Sequence, residues 1–298
     1  MSGAGLYGKV ATQPDFLRAG AGGFSQAGLD RWFQDGMELL RTEGTSLPAT
    51  PTAFLLAPPE SAVAFVGVFA PSADAAGRSF PLVVFSEVDA AGLPEMLPSV
   101  PAAAAPFLND AVMLTIAAAS ADGPTLAAQA QALKPASLAL AGDEAWRHQP
   151  RAIVLDALGG SPAALAYALR TLQMATDRAR AGGAAAGVTV DAPAPSAEAV
   201  GLWLEIIRRR LGPRTLPGLI WTEGLEGRLL VTIGPLAPAA LAYLANPRHR
   251  SSKLWPLRTV AAAATDEALR ALTPEQRRLV ENPGATLGDL AACFATSP

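Results

Sequence analysis

The sequence predicts an α/β protein: a layered α/β sandwich with a mixed central sheet and an extra helical C-terminal segment. Short apolar runs bounded by proline and glycine alternate with stretches of helical periodicity along the 298 residues, a pattern typical of layered α/β folds. Half of the residues are hydrophobic and only 16% are charged, which favours a large core and excludes the disordered class. The length predicts two units of roughly 150 residues each, which we place at residues 1–140 and 141–298.

In the N-terminal unit, apolar runs predict a buried sheet and helical spacing predicts the elements that cover it. Apolar residues recur every three to four positions over residues 28–42, which predicts an amphipathic helix. Residues 102–134 predict a further helical region with a break near Asn109 and Asp110. The predicted strands are residues 54–56, 63–70 and 82–85.

The C-terminal unit repeats the alternation of strands and helices. Ser161 before Pro162 and Ser196 before an apolar-periodic run predict two helix starts. A glycine-containing connection between residues 219–222 and 228–233 predicts a hairpin. The remaining predicted elements are a strand at 152–155, a loop at 181–187, a helix at 237–245, and C-terminal helices capped by Thr265, Thr273 and Thr286.

Composition excludes several kinds of site. The chain has one cysteine, Cys293, and two histidines, His148 and His249, so neither an internal disulfide nor a cysteine zinc site can form. A net charge of −3 argues against a nucleic-acid-binding domain. The first twenty residues lack a signal-peptide pattern, and proline or polar residues interrupt each apolar stretch. We therefore expect a cytoplasmic protein without a transmembrane segment, nucleic-acid partner, metal or cofactor.

Residues 3–9, G-A-G-L-Y-G-K, match G-x-G-x-x-G and the start of a phosphate-binding loop. Such a loop needs a preceding strand that leads into a helix N-terminus, and only two residues precede Gly3. Val10 also stands where a phosphate-binding loop places the serine or threonine that binds magnesium. The stretch is better interpreted as an N-terminal strand with glycine at close-packed points.

Catalytic signatures are weak. Residues 159–163, G-G-S-P-A, approach the nucleophile motif G-x-S-x-G, and His249 lies downstream as a candidate base. The position of Ser161 before a helix-starting proline explains this serine without catalysis. A small-molecule hydrolase that uses Ser161 and His249 stays open as an alternative.

Residues 71–82 carry the densest set of turn-forming residues. Pro71, Ser72 and Asp74 favour turns, and Gly77 can supply a positive φ. Arg78 lies four residues after Asp74, which predicts a charge-assisted pair across the turn. The stretch is either a rigid connector between two strands or a loop that meets a ligand or partner.

Four blocks follow one another in the N-terminal unit. Residues 5–9 are G-L-Y-G-K, 15–16 are D-F, 30–36 are D-R-W-F-Q-D-G, and 67–82 are G-V-F-A-P-S-A-D-A-A-G-R-S-F-P-L. In order and approximate spacing they resemble the TagF family of type VI secretion-associated proteins. A weaker resemblance covers residues 219–224, L-I-W-T-E-G.

The resemblance implies a cytoplasmic, non-catalytic protein that represses type VI secretion after translation by binding an FHA-domain scaffold protein. An assembly adaptor with a different partner stays open. The family-signature or partner-binding residues that the resemblance singles out are Lys9, Asp15, Trp32, Asp74, Arg78, Phe80 and Trp221. Of these, we expect Trp32 and Phe80 in the core. The four charged residues are expected to form a polar cluster that stiffens the N-terminal sheet or meets a partner.

Overall fold

A computed structural model describes residues 3–58, 61–138, 145–182, 187–259 and 261–295. The strands are β1 (Ala4–Gly8), β2 (Leu17–Ala19), β3 (Thr52–Leu56), β4 (Val63–Ala70), β5 (Leu82–Asp89), β6 (Val188–Pro193), β7 (Gly218–Thr222), β8 (Arg228–Ile233) and β9 (Leu254–Pro256). They form one mixed sheet in the order β2-β1-β5-β4-β3-β7-β8-β6-β9. Neighbours are antiparallel except β6 and β9. The predicted α/β class with a mixed sheet is confirmed.

Helices cover both faces of this sheet and form the C-terminal segment. They are α1 (Gly22–Gln26), α2 (Leu29–Thr42), α3 (Leu93–Met96), α4 (Val100–Ala117), α5 (Gly123–Ala132), α6 (Ala152–Ala157), α7 (Pro162–Gly182), α8 (Ala197–Leu211), α9 (Ala239–Ala245), α10 (Ala262–Arg270), α11 (Pro274–Glu281) and α12 (Leu287–Ala295). Short 3₁₀ turns occupy Leu97–Ser99 and Ala145–His148.

The two faces of the sheet belong to different cores because side chains alternate along each strand. On β4, Val66 and Val68 join an aliphatic core under α4, α7 and α8. Phe65 and Phe69 point to the other face and join an aromatic core under α1, α2 and α9. The sheet is therefore buried on both sides, which explains why its strands are continuous apolar runs in the sequence.

The sheet continues across the predicted boundary between residues 140 and 141. Strand β3 pairs antiparallel with β7, so that Ala53 lies opposite Trp221 and Leu55 opposite Leu219. The division into two units at residues 140 and 141 stays a prediction. With that division, β3 of the first unit would pair with β7 of the second inside one sheet.

Several local predictions hold. The helix at 28–42, the three N-terminal strands and the hairpin of β7 and β8 are confirmed. Ser196 accepts a hydrogen bond from the Ala199 amide at the start of α8. Thr273 begins α11 with a reciprocal capping box, in which its hydroxyl and the Gln276 side chain each bond the other residue's backbone amide.

Three local predictions are wrong. The helix α4 runs through Asn109 and Asp110, and the break falls instead between α4 and α5. The predicted strand at 152–155 is helix α6, in which Val154 is buried, as is the N-cap residue Arg151 three positions earlier, a helical spacing. Thr265 lies inside α10 and does not cap it. Most of the predicted loop at 181–187 lies outside the described residues.

Among the described residues, one helical run, Leu93–Ala117, is long and apolar enough by length and composition to cross a membrane. In this structure its inner face, which includes Val100, Ala104, Phe107 and Ala111, is buried in the aliphatic core. The run therefore serves here as a core helix of the sandwich.

Candidate functional site

The structure brings Lys9, Asp74 and Arg78 together at one end of the N-terminal sheet. The Asp74 side chain is fully buried, and its Oδ2 lies 3.0 Å from Lys9 Nζ and 2.7 Å from Arg78 Nε. The predicted pair between Asp74 and Arg78 is therefore present, and Lys9 adds a second cation to the same oxygen.

The second carboxylate oxygen organises the backbone of the turn. Asp74 Oδ1 accepts hydrogen bonds from the amides of Ala76 at 3.0 Å and Arg78 at 2.8 Å. Gly77 has φ +77° between them, a conformation that costs little only for glycine. The Gly77 amide in turn donates to the Asp74 carbonyl. Asp74 thus fixes the residues that connect β4 to β5, as expected of a rigid connector.

A second loop is attached to this turn. Arg78 Nη2 donates to the Pro14 carbonyl at 2.6 Å, and the Ala75 amide donates to the Gln13 carbonyl at 3.1 Å. Lys9 donates to the Arg78 carbonyl at 3.4 Å and lies over the Phe16 ring. We call residues 9–16 and 71–79 together the paired-loop face.

An aromatic floor supports the paired-loop face from below. Phe80 contacts Phe16 edge to face with 4.9 Å between ring centroids, and it contacts Tyr7 in the same way at 5.7 Å. Tyr7 then stacks on Phe16 and contacts Phe24 of α1. Such pairs stabilise a fixed geometry beyond simple burial, so the loops rest on a rigid base.

The outer surface of the paired-loop face is polar and accessible. The Arg78 side chain is 61% exposed although its Nε and Nη2 are held in place. Asp15 is exposed as well and joins the face through its backbone carbonyl, which accepts a hydrogen bond from the Gln13 side chain. The expected polar cluster therefore consists of Lys9, Asp74 and Arg78, with the Asp15 carboxylate on the exposed surface beside it.

The aromatic signature residues lie in the cores. Trp32 and Phe80 are buried in the aromatic core, as predicted. Trp221 is 2% exposed in the aliphatic core on β7, about midway along the sheet order and away from the loops. Trp32 and Trp221 therefore support the fold, and the accessible part of the signature is confined to the paired-loop face.

The N-terminal glycine motif has a structural explanation. Residues 4–8 form β1, which pairs with β2 and β5, so the predicted strand is confirmed. Gly8 has φ +144°, and a Cβ built there would overlap the Pro81 carbonyl. Glycine is required at this point because β1 passes against the end of the connector.

Burial alone would raise the pKa of the Asp74 carboxyl. The hydrogen bonds from the Arg78 amide, Lys9, the Arg78 guanidinium and the Ala76 amide outweigh burial and hold this pKa well below its usual range. A depressed native pKa stabilises the fold at any pH where the unfolded carboxyl is ionised, and this contribution disappears in acid.

Asp74→Asn is expected to lower the melting temperature at pH 7 by several degrees, because Lys9 and Arg78 lose their shared anion. The carboxyl of an unfolded aspartate has a pKa of about 3.9. The difference in melting temperature between wild type and variant should therefore stay constant from pH 7 to pH 5. Below about pH 4 the gap should narrow as wild type loses the same contribution. Circular dichroism melts at pH 7, 5 and 3 would measure it.

Asp35→Asn is the matched control, since Asp35 forms an exposed surface pair with Arg31 and such pairs contribute little. Equal melting temperatures for Asp74→Asn and Asp35→Asn at pH 7 would contradict a structural role for the cluster.

Sequence reasoning missed the residues that attach the second loop. Pro14 and Gln13 act through backbone carbonyls, which any residue supplies, so side-chain identity carries no signal. Phe16 was visible as part of the D-F block, but its contact with Lys9 depends on the tertiary fold.

The candidate hydrolase residues occupy a different region. His249 Nδ1 lies 3.6 Å from Glu43 Oε2, and its ring packs against Tyr243. Ser161 connects α6 to α7 and is not among the described residues that line the cavity beside His249. Among the described residues, no group of three or more His, Cys, Asp or Glu is placed to hold a metal ion.

Comparisons with known proteins find a family model that matches the N-terminal part of the chain. Residues 5–135 match the model of the TagF N-terminal domain, described as type VI secretion system-associated. The predicted resemblance is confirmed over this segment, which contains the paired-loop face. No curated protein matches the chain.

One similar solved structure is described as the crystal structure of PA0076 from Pseudomonas aeruginosa PAO1. It is 24% identical, and the match covers 44% of this chain and 62% of that chain, with a TM-score of 0.39. The chain thus spans less than two thirds of the length of this neighbour.

Proposed function

We propose that this type VI secretion-associated protein, whose residues 5–135 belong to the TagF N-terminal domain family, is a non-catalytic cytoplasmic regulator. It represses secretion after translation by binding a protein partner, an FHA-domain scaffold of the secretion apparatus. The proposal rests on the family match together with the construction of the paired-loop face.

The observation that carries the proposal is that the Asp74 carboxylate is fully engaged in bonds within the paired-loop face. Both oxygens are occupied: Oδ1 by two backbone amides and Oδ2 by Lys9 and Arg78. Its low pKa makes it a poor proton acceptor at neutral pH. A carboxylate in this state fixes the shape of a loop, which favours recognition over proton transfer.

The same cluster prepares Arg78 for a partner. Two of its nitrogens are held by Asp74 and by the Pro14 carbonyl, so little side-chain freedom remains to be lost on binding. The exposed part of the guanidinium can still donate to carboxylates or carbonyls on another protein. Arginine at the centre of a preorganised surface is a frequent source of binding energy in protein interfaces.

Arg78→Ala in the full-length chain is expected to weaken capture of the FHA-domain scaffold encoded in the same gene cluster by about tenfold or more. Capture would be tested by a pull-down from purified components, and the affinity would be measured by biolayer interferometry. Arg31→Ala is the matched control, because Arg31 is 84% exposed on α2 outside the paired-loop face, and it should bind like wild type. Melting temperatures of both variants would show how much of any loss comes from the turn itself, since Arg78 also binds Asp74 and the Pro14 carbonyl.

Secretion assays connect binding to repression. A strain that lacks the gene should secrete more effector, wild type should restore repression, and Arg78→Ala should not. Capture of a different secretion component through the same face would favour the assembly adaptor over the FHA-specific repressor. Unchanged secretion in the deletion strain, together with no partner captured by wild type, would overturn the proposal.

A further inference from the structure

A cavity of about 390 Å³ lies on the C-terminal part of the chain, away from the paired-loop face. One wall comes from the connection after α6, with Leu158, and from the first turn of α7, with Ala164. The other wall comes from residues 247–259, which follow α9 and contain β9. We call it the basic cavity.

Arginines concentrate in this cavity although the whole chain carries a net charge of −3. Arg248, His249, Arg250 and Arg258 line it, and no Asp or Glu does so in the described part of the chain. Among the described residues, no carboxylate lies within ion-pair distance of any of the three arginines. Residues 227–265 contain no acidic residue at all.

The end of this segment that carries Arg258 is fixed to the sheet. Strand β9 pairs in parallel with β6, and the Leu257 amide donates to the Asp191 carbonyl at 2.8 Å. The Arg258 guanidinium donates to the Gly227 carbonyl at 3.4 Å. Glu43 Oε2 lies 3.6 Å from His249 Nδ1, and Glu43 does not line the cavity beside the arginines.

Three positive side chains around one cavity repel each other unless an anion joins them, although Arg248, Arg250 and Arg258 are exposed and water weakens that repulsion. Arginine forks match the oxygens of a phosphoryl group, which carries about −1.5 to −2 charges at neutral pH. The Thr259 hydroxyl also lines the cavity and can donate a further hydrogen bond. A carboxylate would supply only one charge to the same set of donors.

The remaining walls are apolar. Leu158, Leu254 and Pro256 line the cavity beside the arginines, and Leu254 is buried. A few polar groups set in a mainly apolar wall are typical of small-ligand sites, and the volume falls within their usual range of about 300–1,000 Å³. The site thus suits a phosphoryl group attached to an apolar body.

We propose that the basic cavity binds a phosphoryl group, with Arg248, Arg250 and Arg258 as its ligands. The group would come either from a small phosphorylated molecule or from a phosphorylated side chain of a partner protein. The cavity shares no residue with the paired-loop face, so the proposed repressor function and this site can fail independently.

Isothermal titration of the full chain with phenyl phosphate at low salt is expected to show saturable one-site binding. The double variant Arg248→Gln, Arg250→Gln should bind at least about tenfold more weakly, since two guanidinium contacts are lost. The control pair Arg31→Gln, Arg41→Gln changes the net charge equally on the exposed side of α2 and should bind like wild type. Unchanged melting temperatures would show that the variants fold.

Further probes identify the source and test the chemistry. If a phosphothreonine peptide binds more tightly than phenyl phosphate, the phosphoryl group comes from a partner protein. If phenyl phosphate binds more tightly, it comes from a small molecule. Benzoate should bind much more weakly than phenyl phosphate. The proposal would be overturned by no saturation with any phosphorylated probe, by equal binding of benzoate or of an aspartate peptide, or by equal affinity in the arginine double variant. Binding to duplex DNA or anionic vesicles without phenyl phosphate competition would also overturn it, in favour of a nonspecific basic surface.

Discussion

Phe24→Ala is expected to lower the free energy of unfolding by about 3–5 kcal/mol, the usual loss when a buried phenylalanine is truncated. Phe24 is fully buried at the centre of the aromatic core. Its ring stacks on Phe85 with 4.4 Å between centroids and meets Phe65 edge to face at 5.5 Å. Guanidinium denaturation followed by circular dichroism would measure the loss.

The large effect follows from how many elements this ring joins. Phe24 lies on the short helix α1 and contacts strands β1, β4 and β5 through Tyr7, Phe65 and Phe85. It also packs against Phe33 of α2. Close-packed interiors relax only partly around a cavity, so the space left by the ring would weaken contacts with all four elements.

Phe24→Leu is the graded control, expected to lose about 1–2 kcal/mol because most of the volume is kept. Leu225→Ala is the surface control, since Leu225 is 95% exposed, and it should leave unfolding unchanged. A loss below about 1 kcal/mol for Phe24→Ala would show that the aromatic core does not support the sheet as the contacts indicate.

This core also reaches the paired-loop face. Tyr7 contacts Phe24 on one side and Phe16 and Phe80 on the other, so one set of rings links α1 to both loops. Core mutations could therefore weaken partner binding without touching the surface. Arg78→Ala leaves these rings intact, but it also releases Asp74 and the Pro14 carbonyl, so its effect on binding has to be compared with its effect on the melting temperature.

Elements with strong hydrophobic periodicity could be predicted from the sequence, and interrupted ones could not. Helix α2 and strand β4 present regular apolar patterns and were placed correctly. Strand β6 was missed because Asp191 breaks its apolar run, and that carboxylate is neutralised by Arg228 at 2.8 Å on the neighbouring strand. A charge on a strand that is otherwise buried is tolerated only with its partner, and the partner is visible only in three dimensions.

In the candidate site, contacts between residues close in sequence could be predicted, and contacts between distant residues could not. The four-residue separation of Asp74 and Arg78 within a turn predicted their pair directly. Lys9 lies 65 residues earlier in the sequence than Asp74, and only the family resemblance brought it into the cluster. The basic cavity was not predicted, because Leu158 and Arg258 approach each other only after β9 pairs with β6.

Glu205, a buried acid in the C-terminal part, has some partners that its sequence spacing indicates and one that it does not. Glu205 is 1% exposed on α8 and binds Arg208 and Arg209, which lie three and four residues later, the helical spacing at which ion pairs form. Its third partner, Arg147, is 58 residues away in sequence, with 2.9 Å between Nη2 and Oε1. Glu205 thus joins α8 to the turn at Ala145–His148.

Glu205→Gln is expected to lower the free energy of unfolding at pH 7 by about 2–3 kcal/mol. Breaking a fully buried ion pair costs about 3–5 kcal/mol, but the three arginines are 22–37% exposed, so water compensates part of the loss. Burial raises the pKa of Glu205, but the hydrogen bond and charge of Arg208, with the hydrogen bonds from Arg147 and Arg209, outweigh burial and lower this pKa to about 2.

The sign of this shift sets the pH dependence of the comparison. The native pKa lies below the unfolded value of about 4.3, so the contribution of Glu205 is complete above about pH 5 and is lost as pH falls towards 2. Denaturation curves of wild type and Glu205→Gln should therefore converge in acid. Glu38→Gln removes a charge of the same sign from an exposed pair with Arg41 and should match wild type throughout. A gap between wild type and Glu205→Gln that persists unchanged from pH 7 to pH 2 would mean that packing of the side chain, and not its charge, holds the turn to α8.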